Sequence, residues 1–292
     1  MNIGWFTLLS RAMGYRVASF EPHPIMHTRV CESLRLNDDD HHKQQQQDQH
    51  QSSSPSALPQ VQIFPYGLGT QPDATLQLAT GKNPGGSSFD PDRVAKKFRK
   101  FITVPVTTLD GIAQAQGWLR ESNNHASSSS SSVKTTTTTM IRLLKMDVEG
   151  YEPHVWRGGR RLLRSGVIQN ILMEKSANPT YQEETTTAAS LFSKDNDTLH
   201  MLLDIYRAGY QIKQLSTSNG AQPYHPEMVD SLNRALDAAV ANAAGAPQPG
   251  SADTSDNDMT EFAAQLTPQD LKLYQFLTKV TFNVWWFRRQ RP

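Results

Sequence analysis

The chain has 292 residues, a formal net charge of +1 and one cysteine, Cys31. A nearly neutral protein has no field that would attract nucleic acid or acidic partners. One cysteine excludes an internal disulfide and argues against a metal–thiolate site. Neither an apolar run long enough to cross a membrane nor a signal peptide is recognisable, so we expect a cytoplasmic protein. The oligomeric state cannot be read from the sequence.

Hydrophobic residues make up 37% of the chain, which is low for a globular protein. The deficit lies in three polar, low-complexity tracts at about 38–59, 121–139 and 216–260. Such tracts cannot bury enough apolar surface to offset their chain entropy. We therefore predict a single domain over residues 1–292 that carries these tracts as surface insertions.

The first half of the chain alternates between helical and strand patterns. In chain order these patterns predict a helix over 3–13, a strand over 15–20, a helix from 24 to about 36, strands over 61–64, 75–78 and 102–106, and a helix over 109–118.

The second half continues the alternation. It predicts a strand over 141–146, a helix over 153–163 bent at Gly158–Gly159, a strand over 167–173, a helix over 198–208, a strand over 210–215, a helix over 271–277 and a strand over 280–287. Strands that alternate with helices indicate an α/β fold with a mostly parallel sheet and helices on both faces.

The segment 144–152 carries the strongest functional signal. It predicts a buried strand that ends at Asp147, followed by a tight turn through Gly150. Ligands of open α/β sheets bind outside the carboxyl ends of the strands, so Asp147 and Glu149 are candidate catalytic residues. Lys145 shares a strand face with Asp147, and a lysine in an apolar strand needs a charged partner. The alternative is structural, because carboxylates near a helix start can cap free N–H groups.

Asn2 and Gly4 lead directly into the first helix, and Glu21 ends the next strand. A glycine turn at a helix start and a carboxylate at a strand end together describe a pocket for an adenosine-type ligand. The alternative makes Gly4 a helix-start residue and Glu21 a surface acid. His23 and His27 have a spacing compatible with a metal, but no third ligand is evident, and we predict no metal site.

Several segments, taken together and in order, resemble the FkbM family of S-adenosylmethionine-dependent methyltransferases. They are Asn-Ile-Gly-Trp-Phe-Thr-Leu-Leu (2–9), Val-Ala-Ser-Phe-Glu-Pro-His-Pro (17–24), Gly-Gly-Ser-Ser-Phe (85–89), Val-Thr-Thr-Leu-Asp (106–110), Leu-Lys-Met-Asp-Val-Glu-Gly-Tyr-Glu (144–152) and Ile-Leu-Met-Glu (171–174). The resemblance implies a Rossmann-like class I methyltransferase fold, S-adenosyl-L-methionine as cofactor, and methylation of a hydroxyl on a sugar, glycan or small natural product.

The resemblance also implies roles for the cofactor residues. Asn2 and Gly4 would lie near the methionine part of the cofactor. Glu21 would hold the ribose diol, and Gly67 and Leu68 would lie at the adenine edge.

The resemblance also implies that Asp147 and Glu149 line the site where the methyl group is transferred. We predict Asp147 as the general base, with Glu149 as second choice and Lys145 holding the carboxylates. The family has a strand before the loop at Gly4, so the first strand is apparently missing and we expect an upstream extension of the reading frame. An NAD-dependent oxidoreductase and a non-catalytic binding relative remain as alternative functions.

Overall fold

The structure is a computed structural model, and it describes residues 4–47, 59–91, 94–119, 139–175, 197–217, 230, 233–234 and 282–288. The chain divides into two compact units, Met1–Thr108 and Leu109–Pro292. Each unit has its own sheets. A single domain over residues 1–292 stays a prediction.

The first unit contains two small sheets and the first helices. Its elements follow in the order α1 (Trp5–Ala12), β1 (Val17–Phe20), α2 (Pro24–Gln47), β2 (Val61–Phe64), β3 (Gly67–Leu68), β4 (Ala74–Thr80) and β5 (Lys100–Thr107). β1 and β2 pair in parallel. In the second sheet β5 is the middle strand, parallel to β3 and antiparallel to β4.

The β1–β2 pair is held by contacts that its sequence supplies. Phe20 and Phe64 are in register, and their rings stack with centroids 4.9 Å apart. On the side of α1, the hydroxyls of Thr7 and Ser19 form a buried hydrogen bond of 2.7 Å. These contacts fix α1 against β1 and so fix the turn that precedes α1.

Helix α2 is longer than the sequence predicted. It continues to Gln47 rather than ending near Leu36, so the first polar tract begins inside a helix. A salt bridge of 2.6 Å from Arg11 Nη1 to Asp38 Oδ1 ties this part of α2 to α1. The predicted end near Leu36 followed from the lack of apolar residues beyond it. Glutamine is a good helix former, so a helix can continue through a glutamine-rich segment without burying an apolar face.

The second unit is built on one four-stranded sheet. Its elements are α3 (Leu109–Ala115), β6 (Leu144–Met146), α4 (Glu152–Arg157), α5 (Arg160–Ser165), β7 (Asn170–Lys175), α6 (Asp197–Arg207), β8 (Tyr210–Thr217) and β9 (Phe282–Arg288). The strand order is β6-β7-β9-β8. β6 and β7 are parallel, whereas β9 runs antiparallel to both of its neighbours.

One face of this sheet is almost completely buried. Its inward residues alternate along each strand, and all are at most 3% exposed: Met146, Ile171, Met173, Ile212, Val284 and Trp286. The alternation follows from the two-residue period of a strand. Residues on the other face, including Lys145, Leu172 and Trp285, are half-buried.

The predicted bend at Gly158–Gly159 is confirmed, because α4 ends at Arg157 and α5 begins at Arg160. A Cβ on Gly159 would lie 2.9 Å from Leu109 Cδ2, so a side chain would not fit there. The carboxylate of Asp110 also accepts hydrogen bonds from the backbone N–H groups of Arg161 (3.0 Å) and Leu162 (2.8 Å). Asp110 therefore caps the start of α5 from α3.

The predicted mixed α/β class is confirmed. One mostly parallel sheet is not seen in the described ranges, where the strands form sheets of two, three and four members.

The short strand β3 was not predicted, because two residues are too few to show a period. The predicted helix over 271–277 lies outside the described residues, as does most of the tracts 121–139 and 216–260. Within the described ranges, no helix is both long and apolar enough to cross a membrane.

Candidate active site

The turn after β6 carries the acidic residues that the sequence singled out. β6 ends at Met146, and the chain passes through Asp147, Glu149 and Gly150 before α4 begins at Glu152. Glu149 has a φ of 53° and Gly150 a φ of 94°. Two consecutive residues are therefore left-handed, which for a non-glycine residue costs about 1–2 kcal/mol. The predicted tight turn at Gly150 is confirmed, and something must hold Glu149 in this conformation.

Glu152 holds the turn. Its side chain is 2% exposed, and its Oε1 accepts hydrogen bonds from the backbone N–H groups of Val148 (3.2 Å) and Gly150 (3.1 Å). A carboxylate that accepts from free N–H groups just before a helix also lies favourably in the helix dipole. Glu152 thus stabilises the turn itself, and the capping alternative for Asp147 and Glu149 stays open.

Lys145 and Asp147 form an ion pair. Lys145 Nζ donates to Asp147 Oδ2 over 2.7 Å, and the two side chains are 24% and 35% exposed. The structure therefore brings together two of the three predicted catalytic residues. Glu149 lies two residues further along, in the turn itself. An ion pair that is still partly open to solvent can meet a substrate.

Glu174 is a charged residue beside this pair to which sequence reasoning gave no role. It belongs to β7, which runs parallel to β6 with Met173 in register with Met146. Burial raises the pKa of Glu174 above its usual value, the Asp147 carboxylate raises it further, and the Lys145 ammonium lowers it in part. The sequence does place Glu174 at the end of a predicted strand, as it does Asp147. It does not show that these two strands are neighbours in the sheet, which the structure does.

In the first unit, Gly4 forms the turn into α1. It is buried, has a φ of 84°, and a Cβ at this position would lie 3.0 Å from both methyl groups of Val30. Glycine is therefore required here both for the backbone conformation and for the close approach of α2. Asn2, the other residue predicted for this loop, lies outside the described residues.

Gly4→Ala is expected to lower the free energy of unfolding by about 2–4 kcal/mol. About 1–2 kcal/mol comes from the left-handed backbone and the rest from crowding against Val30. Gly14→Ala is a matched control, because Gly14 has a φ of 88° but no atom within 4 Å of the added Cβ. Urea unfolding of both variants measures the two costs, and equal losses would show that the contact with Val30 is unimportant.

Glu21 is a buried acid at the end of β1. It is 6% exposed, which makes the alternative of a surface acid wrong. Its backbone N–H donates to Phe64 O over 3.0 Å, and its Oε1 accepts from the N–H of His23 over 2.9 Å. The carboxylate is thus fixed at the carboxyl end of a parallel strand, which is where α/β folds bind a ribose.

His23 is a packed histidine. It is 5% exposed, its Nδ1 accepts from the N–H of Ile25 over 3.2 Å, and its Nε2 lies 3.4 Å from Thr80 Oγ1. An acceptor at Nδ1 places the proton of the neutral ring on Nε2. These bonds connect the end of β1 to α2 and β4, so His23 supports the segment that carries Glu21.

Gly67 and Leu68 form the short strand β3 beside β5. A Cβ on Gly67 would lie 2.6 Å from Phe89 Cζ and 3.2 Å from Val106 Cγ2, so the glycine is required by packing. Leu68 is half-buried. Their predicted place at an adenine edge stays a prediction.

Two features of the first unit could hold a nucleoside cofactor. A fixed carboxylate at a strand end can accept from two ribose hydroxyls, and a glycine at a helix start can let backbone N–H groups approach a ligand. Acids also follow strand β6 and lie near the end of strand β7, which is parallel to it. Such features would suit an enzyme with a nucleoside cofactor.

The chain belongs to the FkbM methyltransferase family. The family model described as the methyltransferase FkbM domain matches residues 1–212, which contain every candidate residue named above. The protein is therefore a methyltransferase. Comparison with curated proteins and with solved structures gives no significant match.

Proposed function

We propose that the protein is an S-adenosylmethionine-dependent O-methyltransferase that acts on a hydroxyl of a sugar, glycan or small natural product. The observation that carries the proposal is the Lys145–Asp147 ion pair at the carboxyl end of β6, in a chain of a methyltransferase family. A hydroxyl acceptor must lose a proton, and a fixed carboxylate is a suitable base.

S-adenosylmethionine would supply an electrophilic methyl group. Glu21 would accept from the ribose hydroxyls, and Gly4 together with Asn2 would bind the amino-acid end. Gly67 and Leu68 would border the adenine. These assignments rest on the family resemblance and, for Glu21 and Gly4, on their burial and backbone geometry.

Asp147 would be the general base, because its carboxylate is fixed by Lys145 and partly open to solvent. Glu149 is the second choice. Lys145 is a positioning residue that keeps the Asp147 carboxylate in one orientation. A general base of this kind contributes about 10²–10⁴-fold to the rate.

We also propose that the strands follow the Rossmann-like arrangement of class I methyltransferases. The parallel pairs β1–β2 and β6–β7 support this, as does an antiparallel β9 next to β7. A cytoplasmic location, expected from the sequence, stays a prediction.

Calorimetry with S-adenosylhomocysteine and with NADH tests the cofactor. We expect binding of the first and not of the second, because the loop at Gly4 lacks the further glycines of a dinucleotide loop. Incubation with S-adenosylmethionine and a panel of sugars, glycans and small alcohols should then give a product heavier by one methylene, about 14 Da. Binding of neither ligand by a folded chain would favour the non-catalytic alternative, and binding of NADH alone would favour the oxidoreductase.

A further inference from the structure

The pairing of β6 with β7 brings a second carboxylate to the edge where Asp147 lies. Lys145 is in register with Leu172, and Met146 with Met173. The next residues in register would be Asp147 and Glu174. Because side chains alternate along a strand, Lys145 and Glu174 lie on the face opposite to the buried Met146 and Met173, and Lys145 binds the Asp147 carboxylate.

Charged groups of both signs meet at this edge. Among the residues that the structure describes, the carboxylate of Asp147 and the ammonium of Lys145 both act on Glu174, and Lys145 donates to Asp147 over 2.7 Å. On the other side of β7 the residue in register with Glu174 is Asn283, and asparagine carries no charge. A neighbouring carboxylate makes a carboxyl group hold its proton more firmly, and the pKa of Glu174 is shifted in this direction.

We propose that Glu174 is a catalytic residue that forms one shared base with Asp147, so that the proton lost by an acceptor hydroxyl is held between the two carboxylates. The proposal rests on the proposed O-methyltransferase function and adds to it a residue and a destination for the proton. Asp147 is held by Lys145 and orients the hydroxyl, while Glu174 is half-buried, and its burial favours the protonated form of its carboxyl group.

The O–H bond of the acceptor breaks and its oxygen forms a bond to the methyl carbon, while the carbon–sulfur bond of the sulfonium donor breaks and its electron pair goes to sulfur. The proton goes to the Asp147–Glu174 pair and is later released to water. A base whose pKa is raised towards the working pH transfers protons more efficiently than an ordinary carboxylate.

Carbon-13 titration of the glutamate carboxyls in the full chain tests the pair without turnover. The Glu174 signal is identified by its absence in Glu174→Gln. We expect its midpoint to lie above the usual value of 4.5, to fall in Asp147→Asn because a neighbouring anion is removed, and to rise in Lys145→Met because a neighbouring cation is removed. A midpoint that moves in neither variant overturns the proposal.

Kinetics test the catalytic part. With an acceptor from the panel, Glu174→Gln should lower kcat about 10²-fold and leave affinity for S-adenosylhomocysteine unchanged, whereas Glu174→Asp should keep a measurable part of the rate. Glu32→Gln, at an exposed position of α2, is the control for the same chemical change. Wild-type kcat in a folded Glu174→Gln variant would overturn the proposal. Absence of transfer to every acceptor would count against the proposed function, and the titration would still decide whether the pair exists.

Discussion

Asp147→Asn is expected to lower methyl transfer about 10²–10⁴-fold while the protein still binds S-adenosylhomocysteine. Asparagine has the size of aspartate but cannot take a proton, and it leaves Lys145 without the carboxylate that it contacts at 2.7 Å. The product is measured by mass spectrometry with an acceptor found in the panel, and cofactor affinity by calorimetry. A loss of turnover with unchanged affinity assigns Asp147 to the chemical step.

Asp204→Asn is the matched control for this variant. Asp204 Oδ2 lies 2.9 Å from Arg160 Nη2, and its side chain is 10% exposed, so the change breaks a comparable ion pair elsewhere in the same unit. We expect stability to fall and turnover per folded molecule to stay unchanged. If Asp147→Asn instead kept the wild-type rate, Asp147 would not be the base, and Glu149 would be the next residue to replace.

Glu152→Ala is expected to lower the free energy of unfolding by about 2–4 kcal/mol and to abolish most of the turnover. The change leaves the N–H groups of Val148 and Gly150 without their acceptor, and each hydrogen bond to a charged group contributes about 1.5–3 kcal/mol. The turn then loses the two hydrogen bonds that flank the left-handed Glu149, and Asp147 loses its fixed position. Urea unfolding and the methyl-transfer assay measure the two effects.

Glu152→Gln separates the hydrogen bonds from the charge. The amide oxygen can still accept from the turn, so we expect a loss of about 1 kcal/mol and a turnover close to wild type. If the alanine variant kept full activity per folded molecule, the turn would not position Asp147. If the glutamine variant were as damaged as the alanine variant, the charge at the start of α4 would matter more than the two hydrogen bonds.

The sequence by itself determined the local features of this protein. The periods of apolar residues fixed nearly all described helices and strands, because burial of one face sets the period of an element regardless of its neighbours. The run from Lys145 to Gly150 predicted a strand, a tight turn and a helix, and the ion pair of Lys145 with Asp147 followed from two residues on one strand face. The ordered motifs also indicated the methyltransferase family that the match over residues 1–212 shows.

The tertiary structure decided which of these features meet. Glu174 joined Asp147 only through the register of β6 with β7, and Glu21 proved to be buried only through the packing around β1. The salt bridge of Arg11 with Asp38 and the cap of α5 by Asp110 depend on partners far away in the sequence. Such contacts cannot be predicted from a repeat of apolar residues in one sequence. A hydrogen bond or ion pair between distant residues depends on how the folded chain brings the two side chains together.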